Sequence, residues 1–121
     1  MLIGVDLVEI DRVERVLTRY GHVFLNRVFT LYEVAYCRGR SHELAARFAA
    51  KEAVLKVLGT GWRNGIRWTD IEVRNEPSGQ PVVRLSGECR RLADQLGLGR
   101  ILISISHIET HAIASAIGTS V

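Results

Sequence analysis

Asp6 and Glu52 are carboxylates in segments that otherwise read as buried, and Lys51 and Lys56 stand close to the second of them. Arg47 to Gly61 reads Arg-Phe-Ala-Ala-Lys-Glu-Ala-Val-Leu-Lys-Val-Leu-Gly-Thr-Gly. At about 100° per residue, Leu44, Phe48, Leu55 and Leu58 share one helical face. Lys51 projects into the middle of that face and Glu52 onto its edge. Alanines and valines fill most of the rest, so the predicted helix has no wide solvated side and should be buried. Unpaired buried charges are costly, so Lys51 and Glu52 are expected to be paired, metal-bound or turned to a ligand.

The second carboxylate lies near the N-terminus. Leu2 to Val8, Leu-Ile-Gly-Val-Asp-Leu-Val, is an apolar run of strand length. Asp is depleted in strands, yet Asp6 has apolar neighbours on both sides. Two carboxylates on buried elements suit a hard divalent cation such as Mg²⁺, which takes one or two carboxylates, keeps several waters and completes its shell with phosphate. The plainer reading has Asp6 ending the strand and Glu52 pairing with Lys56 at i,i+4. Lys51 on the apolar face tips the balance toward chemistry.

These residues need elements to hold them. The strand over 2–8 leads into a helix near 11–20, with Asp11 as its expected N-cap and Gly21 at its end. Val13, Val16, Leu17 and Tyr20 form its apolar side. Arg12, Arg15 and Arg19 form a separate stripe, either a solvated basic face or a docking strip for acid or phosphate. Residues 22–29 read as a short helix. Thr30 with Glu33 forms a candidate capping box for a helix to about Cys37. Arg38 to Ser41 is a loop, and Ser41 is the expected cap of the long helix that ends at Gly59. A glycine-spaced loop covers 60–67. Strands follow near 68–75 and 81–86, joined by a Glu76-Pro-Ser-Gly turn. Ser86 starts a helix to about Leu96, and Ile101–His107 and His111–Ile117 form a final apolar pair.

Composition narrows the class. The chain has 121 residues, is 47% hydrophobic and carries a net charge of +3. That is enough for one domain over 1–121, mildly basic and suited to an acidic or phosphorylated partner. Cys37 and Cys89 lie far apart without a Cys-x-x-Cys pattern, which fits free thiols in a reducing cytoplasm. No run approaches membrane-spanning length, and no basic leader precedes the first strand, so a soluble, unprocessed chain is expected.

Some motifs are set aside. Gly59-Thr-Gly61 follows a helix and lacks the Gly-Lys-Ser/Thr end of a P-loop. Gly59 reads as a helix C-cap, and Gly61 could let backbone approach a ligand. His107 and His111 are four apart but sit in a strand-turn pattern, so a helical zinc motif is rejected. Trp62 and Trp68 read as packing groups.

Taken together, these residues closely resemble the holo-acyl-carrier-protein synthases, the small phosphopantetheinyl transferases. The resemblance spans nearly the whole chain. It is carried by Ile3-Gly-Val-Asp6-Leu-Val-Glu-Ile-Asp-Arg12, by Arg47-Phe-Ala-Ala-Lys51-Glu52-Ala with Lys56 and Gly59-Thr-Gly61, by Trp68-Thr-Asp-Ile-Glu-Val before Ser78-Gly-Gln-Pro81, and by Ser104-Ile-Ser-His107. It implies an α+β phosphopantetheinyl transferase fold in the order β-α-β-β-α-β-β with one long central helix. It implies transfer of 4′-phosphopantetheine from coenzyme A to a serine of apo-acyl carrier protein, releasing adenosine 3′,5′-bisphosphate, for fatty-acid synthesis. By resemblance, Asp6 and Glu52 bind Mg²⁺, and Glu52, Lys56 and His107 are catalytic. Arg47, Lys51, Lys56, Gly59, Gly61, Ser106 and His107 would hold coenzyme A. Arg12, Arg15 and Arg19 would face the acidic carrier protein, and a homotrimer would place active sites between neighbouring subunits.

Two positions depart from the family pattern: Ile108 stands where threonine is usual and His111 where an aromatic is usual. Both bear on the coenzyme A pocket. A transferase serving polyketide or other secondary-metabolite carriers is the rival within the class. A small basic RNA-binding module is the rival outside it, disfavoured by aliphatic strands and by the unexplained Asp6 and Glu52.

Overall fold

The computed structural model describes residues 1–62 and 65–120. Residues 63 and 64 of the predicted 60–67 loop lie outside the described residues. The chain begins with β1 (Leu2–Glu9) and three helices, α1 (Ile10–Tyr20), α2 (His22–Val28) and α3 (Leu31–Cys37). The long helix α4 (Ser41–Leu58) follows. After a 3₁₀ turn at Trp68–Asp70 come β2 (Ile71–Asn75), β3 (Pro81–Leu85), α5 (Gly87–Gln95), β4 (Arg100–His107) and β5 (His111–Thr119). This is the α+β order that the sequence predicts. Among the described residues no helix is long and apolar enough to cross a membrane.

β1, β5 and β4 form an antiparallel sheet in that order, and β2 and β3 form a separate hairpin. Asp6 pairs with Ala114, and His107 with Ala112. Along β5 the inward positions are Ala112, Ala114, Ala116 and Gly118, all buried. These small side chains let α4 lie close on the sheet. Contact is closest at Gly4, where a Cβ would stand 2.2 Å from the Ala53 carbonyl oxygen. Gly118 plays the same part, with Val57 Cγ1 2.7 Å from the place its Cβ would take.

Helix α4 is the hub of both hydrophobic clusters. Its later turns pack with Ile71, Val73, Cys89 and Ala93, and its first turns with Ile10, Val13, Val28 and Phe29. It is buried nearly all round, as its lack of a polar side requires.

The caps differ in part from expectation. Thr30 and Glu33 form the predicted capping box on α3. Glu9, and not Asp11, occupies the N-cap position of α1. The reason is tertiary: the Ile10 amide bonds the Thr110 carbonyl at 2.9 Å, so the chain passes from strand to helix on a contact with the last hairpin. Arg40 precedes α4 at the N-cap position, and Ser41 is its first residue. The predicted strand over 68–75 gives its first three residues to the 3₁₀ turn.

Candidate active site

Gly4 is where the site begins. Because β1 can press against α4 there, Asp6, two residues on and on the same face, reaches the helix near Lys56. Lys56 Nζ donates to the Val5 carbonyl at 2.8 Å and to Asp6 Oδ1 at 3.3 Å. Glu52 therefore does not pair with Lys56 as the plainer reading had it. Its Oε1 instead accepts from the Trp62 indole Nε1 at 3.2 Å. Asp6 is a mid-strand residue, not a strand end.

Asp6 and Glu52 line one cavity of about 640 Å³, together with Glu9, Arg12, Phe48 and His111. Three carboxylates thus face one arginine and one histidine. Among the described residues no three His, Cys, Asp or Glu side chains cluster tightly enough to hold a metal by themselves. Two hard carboxylates on a roomy cavity are nevertheless the donor set that suits Mg²⁺, which retains water and takes further oxygens from substrate.

The other predicted residues are distributed around this cavity. Arg12 lines it, whereas Arg15 and Arg19 line a shallow exposed groove further along α1. Arg47 lies five positions from Glu52, about 140° around the helix. It is 2% exposed, bonds the Asn75 side chain and lies over the Tyr36 ring at 4.3 Å. Its Nε is buried without a hydrogen-bond partner. His107 is exposed at the end of β4, its ring 5.1 Å from that of His42. His111 lines the carboxylate cavity instead, so the two histidines serve different surroundings. Ser106 is exposed beside His107, and Ile108 is also exposed. Gly59 is the left-handed C-cap of α4, with φ of 71°. At Gly61 a Cβ would meet no atom of the described residues within 4 Å.

Lys51 has a different setting from the coenzyme A role given to it on the sequence. Its Nζ is fully buried, 2.8 Å from Glu33 Oε1, and also donates to the Trp68 and Ile71 carbonyls. Burial pulls its pKa below the ordinary lysine value, with Glu33 opposing. These three partners occupy the ammonium's three donors. Sequence reasoning assigned Glu33 only a cap and Trp62 only packing. The apolar face around Lys51 signalled that a buried acid was needed, but not which one.

A buried helix bearing one edge carboxylate is thus pressed on a strand bearing another, with a lysine between strand and helix. The sequence profile of the 4′-phosphopantetheinyl transferase superfamily matches residues 2–115, and the chain belongs to that family. It is 45% identical to the holo-[acyl-carrier-protein] synthase of Solibacter usitatus, over 94% of each chain. With that of Moorella thermoacetica it shares 48% identity, over 94% of this chain and 90% of the relative. The holo-[acyl-carrier-protein] synthase of Helicobacter pylori, solved in complex with coenzyme A, superposes with a TM-score of 0.89 at 31% identity, covering 98% of this chain and 100% of that one. The Neisseria meningitidis synthase gives 0.88 at 28% identity, covering 98% and 99%.

Proposed function

We propose that this chain transfers 4′-phosphopantetheine from coenzyme A to a serine hydroxyl of an apo-acyl carrier protein, with Mg²⁺, in the cytoplasm and for fatty-acid synthesis. The observation that carries the reading is the convergence of Asp6, Glu52 and Lys56 where β1 meets α4, within a family whose relatives bear this activity in their names.

The residues divide the work. Asp6 and Glu52 are the groups that would hold Mg²⁺, which when bound would neutralise charge on the pyrophosphate. Glu52, directly or through a water, takes the proton of the serine hydroxyl. The serine oxygen forms a bond to the phosphorus nearer pantetheine, and the bond to the bridging oxygen breaks. Adenosine 3′,5′-bisphosphate leaves with the electron pair. Lys56 stabilises charge on the phosphate oxygens, the type of electrostatic help such displacements depend on. Arg47, Ser106, His107 and the Gly59–Gly61 turn are the residues we assign to coenzyme A. Lys51 supports that pocket from behind and does not touch the ligand.

The outer face of the β1-β5-β4 sheet exposes Ile3, Val5, Leu7, Leu102, Ile113 and Ile117. An apolar patch of this kind is characteristic of a surface covered by protein. It supports a homotrimer in which neighbouring copies complete each site. Within each copy, residues 1–121 act as a single transferase domain.

The test is the intact mass of an apo-acyl carrier protein incubated with this chain, coenzyme A and Mg²⁺, with an EDTA control. The expected result is a gain of one phosphopantetheine that disappears with EDTA. No gain and no coenzyme A binding would reject the proposal.

A further inference from the structure

Glu52 is held from one side by a group the reaction itself does not require. The end of α4 forms a Schellman motif: the Thr60 amide bonds the Leu55 carbonyl at 3.3 Å and the Gly59 amide bonds the Lys56 carbonyl at 3.1 Å. The chain therefore reverses and lays Trp62 back along the helix. There the Trp62 ring packs on Trp68 with centroids 3.7 Å apart and planes tilted by 30°, and Trp68 packs on Phe48 at 4.8 Å with a tilt of 31°. Phe48 and Glu52 are one turn apart on α4, so the two indoles bridge neighbouring positions of the same helix edge. The strap is closed at its far end by Lys51, which donates to the Trp68 carbonyl at 3.1 Å.

An indole N–H is a donor only. At 3.2 Å from Glu52 Oε1 it occupies one acceptor site of the carboxylate and leaves Oε2 for other partners. A glutamate on a helix edge otherwise samples several rotamers, and fixing it at the moment of reaction would cost conformational entropy. A packed indole removes that cost in advance, because two rings hold the donor in place.

We propose that Trp62 is a positioning residue for Glu52: its indole N–H, immobilised by the Trp62–Trp68–Phe48 cluster, fixes the carboxylate in the orientation that transfer uses. The inference rests on the reading of Glu52 as a functional carboxylate.

Trp62→Phe keeps an aromatic ring in the cluster and removes only the donor. Its kcat should fall about tenfold, the order of one hydrogen bond to a charged group. KM for coenzyme A should stay within about twofold of wild type, because the ligand-holding residues are untouched. Circular dichroism should match wild type. A second readout needs no turnover. In ¹H–¹⁵N spectra the indole cross-peak lost in Trp62→Phe should move upfield in Glu52→Ala, while the Trp68 cross-peak moves less. Adding Mg²⁺ to the wild type should also move the Trp62 cross-peak. Wild-type kcat in Trp62→Phe at limiting Mg²⁺, or a cross-peak indifferent to Glu52→Ala, would overturn the role of Trp62. A wild type that transfers nothing would instead sink the proposed reaction, and the cross-peak would still report whether Trp62 holds Glu52.

Discussion

Lys51 Nζ lies 2.8 Å from Glu33 Oε1 with both side chains fully removed from solvent. Glu33 also accepts from the Thr30 amide through Oε1 and from the Val73 amide through Oε2, each within 2.9 Å. One carboxylate thus joins the start of α3, the middle of α4 and strand β2. The ammonium completes the junction with two backbone carbonyls at the 3₁₀ turn. A buried pair of this kind adds little net stability, but losing one partner strands the other charge. Lys51→Ala or Glu33→Ala should each lower the unfolding free energy by about 3–5 kcal/mol. The Lys51→Ala/Glu33→Ala double variant should lose clearly less than the two single losses combined. Urea unfolding of the three variants checks this, and an additive double variant would mean that the two residues do not act as a pair.

Gly4 ties packing to chemistry. Its Cβ would fall 2.2 Å from a backbone oxygen of α4, and backbone cannot swing aside as a side chain can. Gly4→Ala should therefore push β1 off the helix, at a cost of about 1–3 kcal/mol. Asp6 is two residues further along β1, so the same displacement should lengthen its approach to Lys56 and weaken Mg²⁺ binding, so that activity needs a higher Mg²⁺ concentration. Thermal unfolding together with a Mg²⁺ titration of activity should show both losses. A variant that is destabilised yet unchanged in its Mg²⁺ requirement would separate Asp6 from the strand's docking.

Asp6→Ala and Glu52→Ala should abolish transfer and leave folded protein, since neither side chain belongs to the buried core. Lys56 is exposed, so Lys56→Met should also fold, with kcat reduced about 10²–10³-fold as for other lost charge-stabilising donors. Wild-type turnover by either alanine variant at limiting Mg²⁺ would remove the metal assignment.

Local signals in the sequence carried most of the fold. The Thr30–Glu33 box, the long alanine- and leucine-rich run of α4 ending at Gly59 and the turn residues before Pro81 each act within a few positions, and each element stands close to where those signals place it. The misses are long-range. Asp11 lost the cap because Thr110, a hundred positions away by sequence, supplies the contact that starts α1. Trp68–Asp70 turns as 3₁₀ because Lys51 collects the Trp68 and Ile71 carbonyls and Asp70 accepts from the Arg67 amide. Asp6, Glu52 and Lys56 were visible as charges in apolar settings. The Trp62 contact with Glu52 was not, because it depends on how the chain reverses after Gly59.

Cys37 and Cys89 are free, buried thiols. Burial pushes Cys37 up to about 11 and Cys89 up to about 12, from an ordinary value of 9.0. Both should resist iodoacetamide in the native protein at about pH 8 and react on unfolding. The linkage has a definite sign. Below pH 9 the thiols are neutral in both states and this contribution is intact. Between 9 and about 11–12 only the unfolded chain ionises, so the contribution falls as pH rises. Replacing both with alanine should flatten that alkaline loss, measurable as a smaller drop in urea midpoint between about pH 8 and pH 10.

Arg12, Arg15 and Arg19 lie along α1 but have different surroundings. Arg12 lines the carboxylate cavity, while Arg15 and Arg19 flank an exposed groove that also holds Asp11 and Glu14. An acidic carrier protein meeting this stripe would be drawn by charge, so encounter should weaken with salt. Arg15→Glu reverses one charge without touching the cavity. It should raise KM for the carrier protein several-fold and reduce the salt dependence of kcat/KM, while KM for coenzyme A stays near wild type. Steady-state kinetics with each substrate varied in turn at two ionic strengths gives the comparison. Equal losses toward both substrates would place Arg15 in the nucleotide site and take the carrier protein away from α1.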